Sequence, residues 1–289
     1  MLALYIFIAK EEFMTDILVE KDFHSATSTL PFVSSGEVGL RYVSHSHSEL
    51  EIFKCDKGIV RITLLDREIV LKAGEIVVFM PGDIHNVDAN EDAITSCIKF
   101  YPVSIEDYNY IKNFRLKDVK VSPMRARESI IRDFDEIISE DNLREPMYAT
   151  SICALVQRIC ITLMREVDLI SLTQDERAKL IKNSDILKSI DEYITMHYAE
   201  EINLTTLSEY VNMSKYYLCR VFGEITGMGF VEYLTKFRLI KSVELMRDED
   251  MSLVDIALKS GFTDVKCYIR SFKRYYQDTP GKYRKNLLK

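Results

Sequence analysis

The chain has 289 residues, 47% hydrophobic and 29% charged, with a formal net charge of −7. This length supports two ordinary cores, and the balance excludes wholesale disorder. An acidic total argues against nucleic acid until it is divided: from Ile181 onward 17 Lys/Arg face 15 Asp/Glu, before that 21 face 30, and from Lys259 to the end 9 face 2.

Residues 1–19 read as an N-terminal extension. Its opening run, MLALYIFIA, lacks a basic leader and meets Lys10-Glu11-Glu12, so it is too short for a membrane span and poorly shaped for a signal peptide. A loose strand is expected there, or an upstream start with Met14 as the true initiator. Residues 20–103 then read as β-structure. Glu51-Ile52-Phe53, Ile59 to Leu64 and Ile76 to Phe79 are short runs separated by turn signals at Gly58, Asp66-Arg67, Lys72-Ala73-Gly74 and Pro81-Gly82. Such spacing predicts a barrel or sandwich.

Within this region His45, His47 and Glu51 share odd parity, which on one strand would point all three to the same side. His85 follows in a later strand, and the four residues together make a donor set suited to a divalent transition metal. Hydrogen bonding to the hydroxyls of a bound effector, or among themselves, fits the same residues. No cofactor is required by the pattern. Tyr42 and Arg61 are further candidates for the pocket wall.

The period changes after Pro102. Ile130, Phe134, Ile137 and Ile138 follow helical spacing, and Ile152, Leu155, Val156, Ile159, Cys160, Leu163, Met164 and Val167 form a longer apolar stripe, with Pro146 placed to open that second helix. Residues 104–168 are therefore expected as a helical segment that packs on the barrel, forms a dimer seam, or does both. Residues 169–183 read as a polar linker, and Ser184-Asp185 as the cap of a new helix. The six cysteines (55, 97, 153, 160, 219, 267) show no CxxC pair and no zinc-ligand rhythm, as expected of reduced thiols in a cytoplasmic protein. Cys153 and Cys160 are expected on one buried helix face.

Residues 184–289 write one helix-turn-helix grammar twice. The first copy has Leu207-Ser208, a turn at Asn212-Met213-Ser214, then Leu218, Arg220 and Phe222; the second has Ile256-Ala257, a turn at Ser260-Gly261-Phe262 with Asp264, then Tyr268, Arg270 and Phe272. The small residue of each pair belongs where two helices cross, and the second turn is one residue longer. Thr205-Thr206 with Glu209, and Ser252 with Asp255, are expected to cap the leading helices. A connecting helix is expected from about Gly229 to Met246. Two such units place two recognition helices on one scaffold, which points to double-stranded DNA. The basic excess beyond Lys259 supplies a field for phosphates.

These residues resemble the DNA-binding domain of AraC/XylS-type transcriptional regulators over roughly residues 184–286. The resemblance rests on Ser214, Leu218, Arg220, Phe222, Thr226-Gly227, Arg238-Leu239, Leu245, Ile256-Ala257, Gly261-Phe262, Phe272-Lys273, Thr279-Pro280 and Tyr283-Arg284. Departures are Ser208 where the family usually has Ala and Gln277 where it often has Gly. By motif position, Lys215, Tyr216, Cys219 and Arg220 would meet the groove from the first recognition helix, and Val265, Lys266, Ile269 and Arg270 from the second. Lys273, Arg274, Lys282, Arg284 and Lys285 are the candidates for phosphate.

The barrel residues resemble the cupin pattern. Gly39, His45, His47, Glu51 and Gly58 match every spacing of its first motif, and Gly74, Gly82 and His85 match part of its second, with Met80 in place of Pro and Ala89 in place of Asn. The two resemblances together imply an α+β chain: a cupin-like β-barrel sensor, a helical dimerisation segment, then an all-α tandem helix-turn-helix domain. They imply a homodimer without membrane contact, an effector that is a small molecule such as a carbohydrate, held by Tyr42, His45, His47, Glu51 and His85, and RNA polymerase as a further partner. The rival reading is a metal-dependent cupin enzyme, or a metal sensor, fused to a DNA-binding module.

Overall fold

The structure, a computed structural model, describes residues 30–64, 67–102 and 104–288, so the N-terminal extension lies outside the described residues. The chain forms two compact units divided between Asp185 and Ile186.

The first unit opens with eight strands: β1 (Phe32–Val38), β2 (Arg41–His45), β3 (Leu50–Lys57), β4 (Ile59–Leu64), β5 (Glu68–Lys72), β6 (Glu75–Phe79), β7 (His85–Ala89) and β8 (Ile94–Phe100). Their ladders form two four-stranded antiparallel sheets, ordered β1-β8-β3-β6 and β2-β7-β4-β5. This is the strand order of a double-sheet jelly roll. The expected barrel thus takes the form of two facing sheets, because the chain changes sheet at each loop between consecutive strands except the β4–β5 hairpin.

Strand β3 shows why the sequence reads there as almost continuously apolar. Phe53 and Cys55 face the space between the sheets, while Leu50 and Ile52 face the other way, into a core shared with helices, so both faces are buried. Gly58 closes the β3–β4 turn at φ +83°, and a Cβ there would stand 2.9 Å from Ala93 Cα.

The helices of this unit are α1 (Ile105–Ile111), α2 (Met124–Leu143) and α3 (Tyr148–Glu166), with a two-stranded pair of β9 (Phe114–Leu116) and β10 (Leu169–Ser171). The apolar stripe of α3 is spent inside the molecule. Ile152, Leu155, Val156, Ile159, Cys160 and Leu163 are at most 4% exposed, packed against Ile130, Phe134 and Ile137 of α2 and the outer face of the β3 sheet. The stripe is therefore a packing face within this unit. Of the paired cysteines, Cys160 is buried and Cys153 half-buried. Buried Asp133 on α2 receives Arg158 of α3 through two bonds of 2.6 and 2.7 Å, which fixes the hairpin. Pro146 does not open α3; the helix starts two residues later, after Met147 at φ 71°.

Residues 169–183 do not form a linker. They hold β10 and the first turns of α4 (Gln174–His197), which runs unbroken through Ser184 and Asp185. Thr173 and Glu176 close the start of α4, Thr173 N donating to the Glu176 carboxylate at 2.8 Å, so the helix begins about three turns earlier than the apolar pattern indicates.

The second unit contains α5 (Leu204–Tyr210), α6 (Lys215–Thr226), α7 (Phe230–Leu245), α8 (Leu253–Lys259), α9 (Val265–Tyr276) and α10 (Pro280–Leu287). The cap of α5 is Asn203, whose side chain accepts from Thr205 N and Thr206 N, with the Thr206 hydroxyl accepting from Asn203 N, so Thr206 is the third helical residue of the capping box and not its cap, and Glu209 lies outside it. Ser252 caps α8 and donates to Asp255 at 2.6 Å, as expected. Leu207, Leu218 and Phe222 are buried in the first helix-turn-helix, and Ile256, Ala257, Tyr268 and Phe272 in the second. Ser208 substitutes for alanine by donating to Thr205 O at 2.8 Å, so its hydroxyl is satisfied at the helix crossing. Gln277 takes the left-handed C-cap at φ 60° and donates to Arg274 O.

Asp191 of α4 accepts a 2.5 Å bond from the Tyr233 hydroxyl of α7. Burial raises its carboxyl to about 7, although the Tyr233 bond works in the opposite direction. A folded pKa above the unfolded value means stability that is complete below a pH of about 4 and lost as pH rises towards about 7. Asp191→Asn should flatten that decline, measured as urea midpoints of the full chain across the interval. An equally steep decline in the variant sinks this assignment.

Candidate DNA-reading surface and jelly-roll site

Local chemistry fixes both candidate recognition helices. Ser214 Oγ accepts from Tyr217 N at the start of α6, and the Asp264 carboxylate accepts from Lys266 N and Cys267 N at the start of α9. Lys215, Tyr216, Cys219 and Arg220 are all exposed on α6, with Tyr216 at 83%. Arg220 lies 4.0 Å from Glu224 and 5.4 Å from the Tyr217 ring centroid of its own helix, contacts weak enough to let it turn outward. On α9, Lys266, Ile269, Arg270, Lys273 and Arg274 are exposed. Val265 is half-buried and packs on the adjoining core, so its side chain is partly withdrawn from the surface.

Arg284 is not presented to solvent as a phosphate contact. Its guanidinium donates to Met246 O at 3.0 Å, Met251 O at 2.6 Å and Asp248 O, closing the C-terminal end of α7. Arg238 does the same for the end of α4, donating to Tyr198 O and Glu200 O at 2.7 Å each. Each helix-turn-helix is thus clamped by an arginine that binds carbonyls. Lys285 stays exposed, and Lys282 pairs with Asp278 at 3.0 Å.

In the jelly roll, His45, His47, Glu51 and His85 do converge, but not from one strand. His45 ends β2, His47 lies in the following loop, Glu51 is on β3 in the opposite sheet, and His85 begins β7, directly paired with His45. Their donor atoms all lie within 4.8 Å of one another. The Tyr42 ring is 5.4 Å from that of His45, whereas Arg61 is exposed on β4, 3.9 Å from Glu68, while its neighbours Val60 and Ile62 face the core between the sheets.

The three imidazoles are held alike. Nδ1 of His45, His47 and His85 lies 3.0–3.1 Å from the carbonyls of Val43, Glu49 and Asp83, so each donates there and turns Nε2 into the cluster. His47 Nε2 is 2.8 Å from Glu51 Oε2. His85 Nε2 is 3.3 Å from the same oxygen but misaligned, which leaves this buried ring nitrogen without a hydrogen-bond partner. The Phe79 ring stacks on His85 at 3.7 Å.

Burial lowers His45, and burial with His45 as neighbour lowers His85 to about 3, so both rings are neutral and carry lone pairs on Nε2. Burial also works against a charge on His47, but the Glu51 carboxylate outweighs it and raises His47. Burial would raise Glu51, but the hydrogen bond from His47 prevails and holds it well below the carboxylate range. This donor set fits a transition metal: three oriented imidazole nitrogens, one carboxylate and an orphaned nitrogen among them. Metal–ligand bonds of about 2.1 Å need donors slightly closer together than they stand.

Lys99 is the functional candidate that the sequence reading missed. It sits on β8 opposite Glu51 in the ladder, 3.9 Å from its Oε2, and burial lowers it to about 7.

A family model for a helix-turn-helix domain matches residues 207–286. The probable transcription factor PqrA of Proteus vulgaris is 34% identical over 103 residues, covering 36% of this chain and 83% of PqrA. The chain belongs to the AraC/XylS-type transcriptional regulators. An uncharacterized HTH-type transcriptional regulator of Staphylococcus aureus strain MRSA252 is 35% identical to this AraC/XylS-type chain over 104 residues, or 36% of it, and the chain spans 14% of that relative's length. ToxT from Vibrio cholerae O395, solved bound to (E)-4-(8-methylnaphthalen-1-yl)but-3-enoic acid, superposes with a TM-score of 0.50 at 13% identity, covering 90% of this chain and 98% of ToxT. That likeness is one of fold. Among the described residues, no helix is long and apolar enough to cross a membrane.

Proposed function

We propose that this AraC/XylS-type chain is a one-component transcriptional regulator, not an enzyme. It reads double-stranded DNA through α6 and α9, and a small-molecule effector in the jelly roll controls that reading. The observation that carries this reading is the pair of side-chain-capped helices, each burying its aromatic face and exposing Lys215 and Arg220 or Lys266 and Arg270. Exposed arginines in a major groove can grip guanine through two bonds, and Lys273, Arg274 and Lys285 supply phosphate contacts. The effector binds one arrangement of the chain better than another and so shifts the population competent for DNA. A homodimer on paired half-sites, in contact with RNA polymerase, is the working assembly.

The test begins by selecting a binding site from a random double-stranded library with the full chain. Arg270→Ala is expected to cost about 1–3 kcal/mol and to relax preference at one base pair. Lys285→Ala is expected to weaken all sequences alike and to flatten the salt dependence. Equal, sequence-blind losses from both variants demote Arg270 to a phosphate clamp; no selected site at all removes the DNA reading.

The carbonyl-anchored imidazoles favour a second component. We propose that His45, His47, Glu51 and His85 hold a divalent transition metal, which supplies Lewis-acidic positive charge to an effector oxygen. Protein purified without chelator is expected to carry about one equivalent, and His47→Ala to lose most of it, by elemental analysis. Equal metal content in the two proteins refutes this site.

A further inference from the structure

We propose that the jelly-roll site takes an anionic effector, a small carboxylate that sets one oxygen on the metal-binding donors and a second on Lys99. This inference rests on the metal reading above and goes beyond it by naming the ligand class.

The register supplies the geometry. Glu51 and Lys99 are direct partners in the β3–β8 ladder, so Lys99 shares the interior face with Glu51 while its neighbours Ile98 and Phe100 face the helical core. Its side chain is 10% exposed and Nζ lies 3.9 Å from Glu51 Oε2, which places a primary amine beside the same oxygen that His47 and His85 approach. A primary amine and two imidazole nitrogens of the metal-binding set therefore approach one carboxylate oxygen inside the sheets.

Charge selects the ligand. A divalent ion brings two positive charges against the single negative charge of Glu51, and buried charge of one sign is costly unless a ligand balances it. Among the described residues Glu49 is a further carboxylate beside the cluster, but it lies 3.8 Å from Nδ1 of His47, the ring nitrogen that faces away from the cluster. A neutral polyol satisfies hydrogen bonds there but leaves the charge uncompensated. A carboxylate balances it, and its second oxygen can accept from Lys99 Nζ. The stacked Phe79 ring and nearby Tyr42 make part of the surroundings aromatic, which strengthens such a bond.

The experiment loads the full chain with Co2+, measures cobalt content, and titrates oxalate, pyruvate and lactate against glycerol and xylose by calorimetry and by the visible Co2+ spectrum. At least one acid is expected to bind and change the spectrum, with neither neutral compound doing so. Lys99→Met should weaken that acid about 10–100-fold at unchanged cobalt content, and Lys99→Arg should retain most of the affinity. Acids that bind Lys99→Met as tightly as the parent, neutral compounds that bind as well as the acids, or no acid binding to the cobalt-loaded protein each overturn the inference alone. Failure of the parent chain to retain cobalt overturns the metal reading itself, before any acid is added, and this inference with it.

Discussion

Gly261→Ala is expected to destabilise the C-terminal unit by about 3–5 kcal/mol, because two independent costs coincide. Gly261 lies in the α8–α9 turn at φ +84°, a conformation that costs an L-residue about 1–2 kcal/mol. A Cβ there would also stand 2.2 Å from Tyr198 O and 3.0 Å from Ala199 Cα, so backbone rather than a flexible side chain must move. Tyr198 O is also the acceptor of Arg238 Nε, so moving it strains the clamp at the end of α4. Gly223→Ala is the matched control. Gly223 sits inside α6, where an added Cβ would meet nothing within 4 Å, and there alanine should gain up to about 1 kcal/mol of helix propensity. Urea unfolding of the two full-length variants checks both signs. A Gly261→Ala loss no greater than about 1 kcal/mol means the turn is softer than its contacts indicate.

Arg284→Ala is expected to cost about 2–4 kcal/mol of folding stability, and to impair DNA binding only through that loss. Its guanidinium serves three carbonyls in the segment that follows α7, and Met246 among them is fully buried, so alanine leaves acceptors without a donor. Lys285, one residue further and exposed, is the contrast: Lys285→Ala should leave the urea midpoint unchanged and lower DNA affinity. Stability and affinity measured on the same preparations separate the two roles. Full stability in Arg284→Ala with weakened DNA binding returns Arg284 to the phosphate contacts.

The tandem helix-turn-helix was legible because its signals are local. Ser214 and Asp264 cap the helices that follow them, and the buried positions Leu218, Phe222, Tyr268 and Phe272 repeat at helical spacing. Sheet membership is non-local, and there the reading was right for an incomplete reason. Parity on a single strand was the argument for grouping His45, His47 and Glu51, whereas two strands of opposite sheets and a loop bring them together. Lys99 carried a usable signal, since Thr95, Cys97 and Lys99 alternate with Ser96, Ile98 and Phe100 along β8. Parity within that strand puts Lys99 on the side of Cys97, but nothing in the sequence pairs it with Glu51. The polar composition of residues 174–183 suggested a linker because a solvent-facing helical turn and a loop share the same residues. Arg284 read as a phosphate contact because charge is visible in a sequence and a carbonyl partner 38 residues away is not.

The connecting helix α7 belongs to both reading units. Phe230 and Tyr233 near its start pack edge-on against Phe222 of the first unit, while Leu239 and its cap residue Met246 lie in the core of the second. Its 16 residues therefore act as a ruler of about 24 Å whose phase is locked at both ends. One inserted residue would lengthen it by about 1.5 Å and turn the second reading head by about 100° relative to the first. On the proposed reading of DNA through α6 and α9, the spacing between the two segments contacted is written in the length of α7, and the recognition residues can change without altering it.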